Sequence, residues 1–340
     1  DRAYDGTRDF IRELVASGVA VSHDLMLLLA RSLEACGDNL EAIGLLSEIE
    51  SDAETCQSRA ELNVQIGELA LKLGKFDEAV ARFDSAVGIS DSPSIRRARA
   101  LGLGEARYAV GEHEELIAEM GELILTLLEE QAAGAGDPDI DESLIRARNT
   151  LGKTLIFRAD YAHAEELFRA NRLLAHDWGW DAEAARAQAN LGVVALQRCD
   201  YAEALSRLEN ALESSGLRGS LPRAYCLVNL ATVRQQRNEF SDALTASLES
   251  LRASKKAGDT VAYSVAAHNL ATIYQDMGAF KRAHEVISHL NDRFEPDART
   301  LTSRWNRLVL GYLHLDEGAY HLAISVFEEL SEEVGSSDLL

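Results

Sequence analysis

A small residue that follows a Leu or Ile recurs along this chain at nearly regular intervals, each time within a stretch of helical apolar spacing. Successive small residues are separated by 37, 37, 48, 40, 39, 40 and 40 positions. They are Ala30, Gly67, Gly104, Gly152, Gly192, Ala231, Ala271 and Gly311. Self-similarity at this period indicates a repeat architecture, in which each unit buries its apolar face against its neighbours.

A second small residue follows each of the first set at a distance of twelve positions. It is Ala in seven of the eight units, and Leu116 replaces it in the third. The seven are Ala42, Ala79, Ala164, Ala204, Ala243, Ala283 and Ala323. Small side chains on both members of a helix pair let the two helices pack closely. Each unit is therefore predicted to be two helices, an A helix and then a B helix.

The residues between the two small positions are typical of a tight turn between helices. An aromatic residue stands three positions before the Ala, where it shares that residue's helical face. These aromatic residues are Phe76, Tyr161, Tyr201, Phe240, Phe280 and Tyr320. A Gly often precedes it and suits a helix end with positive φ. This Gly is Gly37, Gly74, Gly111, Gly278 or Gly318, and Asn238 takes the position once.

Together these residues resemble the tetratricopeptide repeat, and the resemblance covers about residues 22–334. It implies an all-α fold, a right-handed α-solenoid of about eight helix pairs whose A helices line a concave groove. The units are longer than the usual repeat, and several open with Asn-Leu-Gly or Asn-Leu-Ala, as at Asn190. In this they resemble the repeats of bacterial regulators and kinesin light chain, a subgroup that binds peptides, partner proteins or small effectors.

The register of the repeats divides the chain into segments. Residues 1–21 are interpreted as a partial preceding helix or cap, 22–130 as units one to three, and 142–334 as units four to eight. Residues 131–141 contain Gly, Pro and Asp and are predicted to be an inserted loop, and 335–340 a tail. The first and last helices resemble cut ends, so we expect neighbouring sequence to cap the array.

The charge of the chain argues against nucleic acid as a partner. The formal net charge is -22, and no Lys or Arg occurs between Tyr108 and Ile145. Such a surface repels phosphate. No apolar stretch is long enough to span a bilayer, so no membrane partner is predicted. The four cysteines are scattered without paired spacing, which favours reduced thiols and a cytoplasmic location.

A row of asparagines on the A helices is the main candidate for peptide binding. Asn190, Asn229 and Asn269 each lie two positions before the small residue of their unit, and Asn149 lies one position out of register. An amide offers both a donor and an acceptor, which is what a peptide group needs. The alternative is that these amides bond to neighbouring helices and only fix the register of the repeats.

Basic residues on the A helices of the middle units suggest that the partner is acidic. Arg146 and Arg186 occupy equivalent positions, and Lys153 follows Gly152. Arg pairs with carboxylates in bidentate geometry, so these residues are candidates for binding an acidic peptide. The alternative is that they pair with acids on adjacent repeats.

Aromatic and further polar residues complete the predicted groove. Trp305 and Tyr312 are a candidate aromatic patch for an anchoring side chain, although both are also interpretable as core. Gln236 and His268, on the same A helices as Asn229 and Asn269, are further candidates for peptide binding. Trp178 and Trp180 are predicted to wedge between units.

No motif for catalysis or for a cofactor is visible in the sequence. The histidines do not show the spacing of a metalloprotease, and phosphate-binding loops and nucleophile elbows are absent. We therefore expect no cofactor, no metal and no enzyme activity. The predicted function is a peptide-binding or protein-binding scaffold or regulatory domain. The alternative is the sensor domain of a signalling or transcription regulator that binds a small effector or signalling peptide.

Overall fold

The computed structural model describes residues 23–53, 55–134, 136–214, 221–293 and 301–334, together with residues 6, 9 and 13. Within these ranges there are sixteen α-helices and no strands. Apart from residues 6, 9 and 13, the predicted leading helix within 1–21 lies outside the described residues, as does the tail. The fold is all-α, an α-solenoid of eight helix pairs, as the sequence predicts.

Each pair consists of an odd-numbered A helix and an even-numbered B helix. The pairs are α1 (His23–Cys36) with α2 (Asn39–Asp52), α3 (Cys56–Lys72) with α4 (Phe76–Ile89), α5 (Pro93–Val110) with α6 (His113–Ala133), α7 (Pro138–Phe157) with α8 (Tyr161–Asp177), α9 (Asp181–Gln197) with α10 (Tyr201–Glu213), α11 (Leu221–Gln236) with α12 (Phe240–Lys256), α13 (Thr260–Asp276) with α14 (Phe280–Arg293), and α15 (Leu301–Asp316) with α16 (Tyr320–Val334).

The chain divides into two compact units. The first comprises residues Asp1–Tyr108, Glu112–Leu167 and Lys255–Thr260. The second comprises Ala109–Gly111, Phe168–Ser254 and Val261–Leu340. The predicted groove residues of α7 therefore belong to the first unit, and those of α9, α11, α13 and α15 to the second.

The small residue of the A helix packs against a large residue of its own B helix. A methyl group added to Gly67 would lie 2.9 Å from the Phe83 ring, and one added to Gly192 would lie 2.9 Å from Leu208. In both cases the large residue follows the glycine by sixteen positions. The seven B-helix alanines are at most 2% exposed. The predicted role of both small positions in close helix packing is confirmed.

Apolar side chains fill the space between neighbouring helices in each unit. In the first unit, one cluster joins α1, α2 and α3 through Leu33, Leu46 and Ile66. In the second, a larger cluster extends from α9 to α13 and includes Leu208 and Ile273. Burying one such side chain contributes about 1.5–3 kcal/mol. Each helix thus depends on its neighbours for most of its stability.

The turn that ends an A helix has the left-handed backbone conformation that its sequence predicts. Gly74 has φ of +73° and Asn238 has φ of +61°. Ala159 and Cys199 adopt the same conformation at the equivalent positions of the fourth and fifth pairs, with φ of +57° and +61°. At Ala159 the turn is closed by two backbone bonds, from Ala159 N to Ile156 O and from Asp160 N to Leu155 O.

The predicted inserted loop at 131–141 is mostly helical, and this prediction is wrong in its bounds. Helix α6 continues to Ala133, and α7 begins at Pro138. Pro138 begins the helix because a missing N–H costs nothing in the first turn, and the Asp137 carboxylate caps it by accepting from Asp139 N at 2.9 Å. The extra length of this repeat therefore lies mainly in two long helices.

No helix among the described residues is both long enough and apolar enough to cross a membrane. Cys36, Cys56, Cys199 and Cys226 are all free thiols, as their spacing predicts. Cys226 is the buried one of the four, and burial raises the pKa of its thiol to about 12.

Candidate functional site

Arg146, on α7 in the first unit, pairs with two acids on preceding A helices. Its guanidinium lies 2.9 Å from a Glu68 carboxylate oxygen and 3.2 Å from one of Glu105. Burial acts to lower the pKa of Arg146, but Glu105 and Glu68 together outweigh it, and the net shift is upward. Arg146 therefore follows the second interpretation of the basic residues, which is pairing with acids on adjacent repeats.

Lys153 lies over an aromatic ring two turns further along α7 than Arg146. Its ammonium group is 4.6 Å from the centre of the Tyr108 ring, a cation–π distance. Tyr108 meets Phe157 edge to face at 5.9 Å, and Phe157 stacks on His113 at 5.1 Å. Burial raises the pKa of Tyr108 to about 12. Asn149, on the same helix, is buried.

In the second unit, the predicted binding residues Arg186, Asn190, Asn229, Gln236, His268, Asn269, Trp305 and Tyr312 lie on the A helices α9, α11, α13 and α15. We call the surface that carries them the A-helix face. Arg186 pairs with Glu183 on its own helix at 3.2 Å. Its charge is therefore matched within one turn of α9.

Asn269 forms two hydrogen bonds to the preceding helix pair. Its Nδ2 donates to Thr232 Oγ1 at 2.9 Å, and its Oδ1 accepts from the Ser247 hydroxyl. Asn269 is 6% exposed, so both bonds lie in a dry environment, where losing one is costly. The contacts of Asn269 therefore agree with the second interpretation of the asparagine row, in which the amides bond to neighbouring helices and fix the register of the repeats.

Asn229 occupies the same position in the preceding repeat but lacks these partners. The residues equivalent to Thr232 and Ser247 are Val193 and Leu208, and neither side chain accepts or donates a hydrogen bond. Among the described residues, the half-buried Asn229 amide has no hydrogen-bond partner. Asn190 is also half-buried. The asparagine row is therefore not uniform, since Asn269 is bonded within the protein and Asn229 is not.

A second amide row, which the sequence analysis missed, joins the ends of the A helices. Gln235 Nε2 donates to Asp276 Oδ2 at 2.7 Å, and Gln275 Nε2 donates to Asp316 Oδ2 at 2.9 Å. In both bonds the Gln lies four positions after the small residue, and the Asp lies five positions after the next small residue. Because the Gln and the Asp recur at the same positions of successive repeats, an alignment of the repeats could have revealed this row.

The same row is interrupted one repeat earlier, at the exposed Gln236. It occupies the position of Asp276 and Asp316, but the position that supplies its bonding partner holds Leu196. No hydrogen bond to the Gln236 side chain occurs among the described residues. Asn229 and Gln236 therefore place two unbonded amides on α11, two helical turns apart.

The aromatic residues of the A-helix face fall into two separate groups. His268 lies beside Trp305, with ring centres 5.9 Å apart, so α13 and α15 meet through an aromatic contact. Burial lowers the pKa of His268 to about 4, against a smaller opposing effect of Asn306. Tyr312 is half-exposed and packs edge to face on Phe327 at 5.5 Å. Trp178 and Trp180 stack on each other at 5.3 Å.

Three residues near the end of the second unit have the composition of a metal site. His284, His314 and Glu317 each offer one ligand atom, and these atoms lie within 4.8 Å of one another. The spacings of histidines along the sequence do not reveal this group, because it joins α14 to α15 across thirty residues. The three residues come together only when the last two helix pairs pack against each other.

Known proteins resemble this chain in sequence over part of its length and in fold over nearly all of it. Sequence profiles of the tetratricopeptide repeat match residues 60–93 and 183–256. Anaphase-promoting complex subunit 5 of Mus musculus is 34% identical over 82 residues. That match covers 24% of this chain and 11% of the relative, so the chain corresponds to about a tenth of that protein's length.

Solved structures match the fold at low sequence identity. A Rap protein complexed with competence and sporulation factor is 13% identical, with a TM-score of 0.66, and the match covers 98% of this chain and 93% of that one. The Rap conjugation gene regulator of plasmid pLS20 in complex with the Phr* peptide is 15% identical, with a TM-score of 0.62 and coverage of 97% and 92%. At this identity the likeness concerns the fold.

Proposed function

Because the chain is a tetratricopeptide-repeat protein, we propose that it binds a protein or peptide in extended form along the A-helix face of its second unit. The observation that carries the proposal is the pair of unbonded amides on α11. Asn229 is half-buried and Gln236 is exposed, and neither amide is bonded within the described protein. Both amides are therefore available to donate hydrogen bonds to a ligand and to accept them from it.

The spacing of these amides suits a peptide backbone. Seven positions on a helix correspond to two turns and about 10 Å along its axis. An extended chain covers that distance in about three residues, at about 3.3 Å each. A peptide that follows α11 therefore presents a backbone group to Asn229 and another to Gln236. Each amide donates and accepts, so the contact does not depend on the sequence of the peptide.

The neighbouring A helices supply the features that select a side chain. His268 and Trp305 form an aromatic surface on α13 and α15, and Tyr312 adds a half-exposed ring on α15. Aromatic rings of this kind anchor apolar side chains in many interfaces. We propose that the ligand carries an apolar or aromatic anchor for this surface.

The basic residues contribute less to this proposal than their sequence positions suggest. Arg186 is already paired with Glu183, and Arg146 with Glu68 and Glu105. An acidic peptide has to compete with these acids for each guanidinium. An acidic partner remains a proposal, and we rank the amide and aromatic contacts above it as determinants of affinity.

The proposal concerns binding and not catalysis, because amides and aromatic rings hydrogen bond and stack but supply no nucleophile. A cytoplasmic scaffold or regulatory role in signalling, with repeats of the bacterial-regulator and kinesin-light-chain subgroup, is part of the same proposal. The alternative function is a sensor domain that binds a signalling peptide or small effector. It is favoured by the two Rap structures named above, because both are complexes.

A library of linear peptides displayed on phage tests the proposal directly. We expect selected peptides to bind the protein with micromolar affinity, and the double variant Asn229→Ala, Gln236→Ala to bind them at least tenfold more weakly. Tenfold corresponds to about 1.4 kcal/mol, the order of one lost hydrogen bond per amide. Isothermal titration calorimetry with the selected peptides provides the affinities.

The matched control is Asn210→Ala, which removes an exposed amide from the B helix α10. We expect this variant to bind as the unaltered protein does. Equal affinity of the double variant and the control for every selected peptide would show that the α11 amides do not hold the ligand.

A further inference from the structure

We propose that His284, His314 and Glu317 form a Zn²⁺ site that joins the last two helix pairs. His284 lies on α14, His314 lies on α15, and Glu317 follows α15 directly. Their ligand atoms are mutually within 4.8 Å, and His284 Nε2 is 2.9 Å from Glu317 Oε2. The two imidazole rings lie 5.3 Å apart, centre to centre, at an angle of 42°.

The donor set is one that Zn²⁺ prefers. Two imidazole nitrogens and one carboxylate oxygen bind this ion at about 2.0–2.2 Å, in tetrahedral geometry with water as the fourth ligand. Ligand atoms around such an ion are about 3.3 Å apart. One observed separation is 2.9 Å and none exceeds 4.8 Å, so each pair of ligand atoms lies within about 1.5 Å of this spacing.

The three residues lie at the edge of the protein, where an ion can reach them from solvent. Both histidines are half-buried, and Glu317 is exposed and open to solvent, which leaves a path of entry.

The backbone around the cluster is held by regular structure. Glu317 N donates to Leu313 O at 3.0 Å, and Gly318 N donates to Leu315 O at 3.0 Å, so the end of α15 is closed by its own hydrogen bonds. Ala283, next to His284, is buried between helices with Leu313. The ligands therefore project from fixed positions on two packed helices, which lowers the entropic cost of binding.

Zn²⁺ binding to the full chain tests the proposal. The protein is prepared without a polyhistidine tag, and the exposed thiols are removed with C56S and C199S, because both groups bind zinc on their own. Competition with a chromogenic zinc indicator should give one Zn²⁺ per chain. His284→Ala and Glu317→Gln should each weaken this binding at least tenfold.

The control variant is His289→Ala, which removes an exposed histidine from the same helix, α14. It should bind Zn²⁺ as the parent protein does. Because Zn²⁺ binds only the folded site, it should also raise the melting temperature of the parent and of the control but not of the two site variants. Glu317→Gln alters an exposed side chain, so it keeps the test valid if His284→Ala fails to fold.

Two results would overturn the proposal. One is the absence of a Zn²⁺-dependent rise in the melting temperature of the parent protein. The other is a zinc affinity of the folded Glu317→Gln variant that equals that of the parent. In either case the 2.9 Å contact between His284 and Glu317 is a hydrogen bond between the two helix pairs and not part of a metal site.

Discussion

At the scale of single residues, the turn after each A helix shows which backbone conformations the sequence predicts and which it does not. Gly37, Gly74, Gly111 and Asn238 are residues that tolerate positive φ, and the sequence alone predicts that conformation for them. Ala159 and Cys199 adopt it although their side chains disfavour it by about 1–2 kcal/mol. The surrounding helix pair imposes the conformation there, and no property of the residue itself predicts it.

The amides of the A-helix face illustrate the same limit. Asn229 and Asn269 are identical in type and in repeat position, so a sequence pattern treats them alike. They differ because of the repeat that precedes each one. Thr232 and Ser247 form hydrogen bonds with Asn269. The equivalent residues before Asn229 are Val193 and Leu208, which form none. Only the folded structure shows which residues of successive repeats contact each other.

The half-buried His268 should make the stability of the protein depend on pH. Its pKa in the folded protein is about 4, below the ordinary value of 6.5, chiefly because of burial. Between these values the unfolded chain binds a proton that the folded chain does not, so stability rises with pH from about 4 to about 6.5. The expected contribution is about 3 kcal/mol, since each pKa unit corresponds to about 1.4 kcal/mol.

The variant His268→Asn removes the titrating group and keeps a polar side chain of similar reach. Urea unfolding followed by circular dichroism at pH 4.5 and 7 measures the effect. The difference in unfolding free energy between the two pH values should be smaller in the variant. An identical difference in both proteins would mean that His268 titrates normally in the fold.

At the scale of helices, polar bonds between successive A helices fix how the pairs stack. Gln235 is 8% exposed and bonds to Asp276, whereas the bond from Gln275 to Asp316 lies at the surface. A hydrogen bond to a carboxylate is stronger away from water. The two bonds are therefore equivalent in register but not in energy.

A pair of double-mutant cycles should separate the two bonds. We expect a coupling energy of about 1 kcal/mol between Gln235 and Asp276, and less than about 0.5 kcal/mol between Gln275 and Asp316. Each cycle compares the Gln→Ala variant, the Asp→Ala variant and the double variant with the unaltered protein. Urea unfolding measures the free energy of unfolding of each. Equal coupling in the two cycles would show that burial does not strengthen the first bond.

Helix boundaries were predictable wherever the repeat kept its ordinary length. The eight small residues, seven of them followed by an Ala twelve positions later, locate all eight pairs, because both positions lie in the packed interface. Residues 131–141 were misassigned because Gly, Pro and Asp also occur at helix ends. Pro138 and Asp137 begin α7 rather than extend a loop.

At the scale of the whole molecule, the excess of acidic residues affects stability. The formal net charge is -22, and eleven acids lie between Tyr108 and Ile145 without a basic residue. Like charges at this density repel within the folded state, and salt screens them within about 8–10 Å at physiological ionic strength. The composition alone establishes this property, independently of the fold.

The melting temperature should therefore rise by several degrees between about 10 mM and about 150 mM NaCl. The triple variant Glu115→Gln, Glu122→Gln, Glu129→Gln should show a smaller rise, because it removes three exposed acids of α6 for which no ion pair occurs among the described residues. Differential scanning fluorimetry measures both. A fall in melting temperature with added salt would indicate that attractive ion pairs outweigh the repulsion.

The interrupted row of glutamines has a mechanical consequence for the second unit. The steps from α11 to α13 and from α13 to α15 are each pinned by a Gln–Asp bond, whereas the step from α9 to α11 has Leu196 and Gln236 at those positions. Apolar contacts tolerate small sliding movements that a directional bond resists. Of these three steps, the one that Gln236 borders is thus the one without a Gln–Asp bond, and we expect a chain that binds Gln236 to change the tilt of α9 against α11.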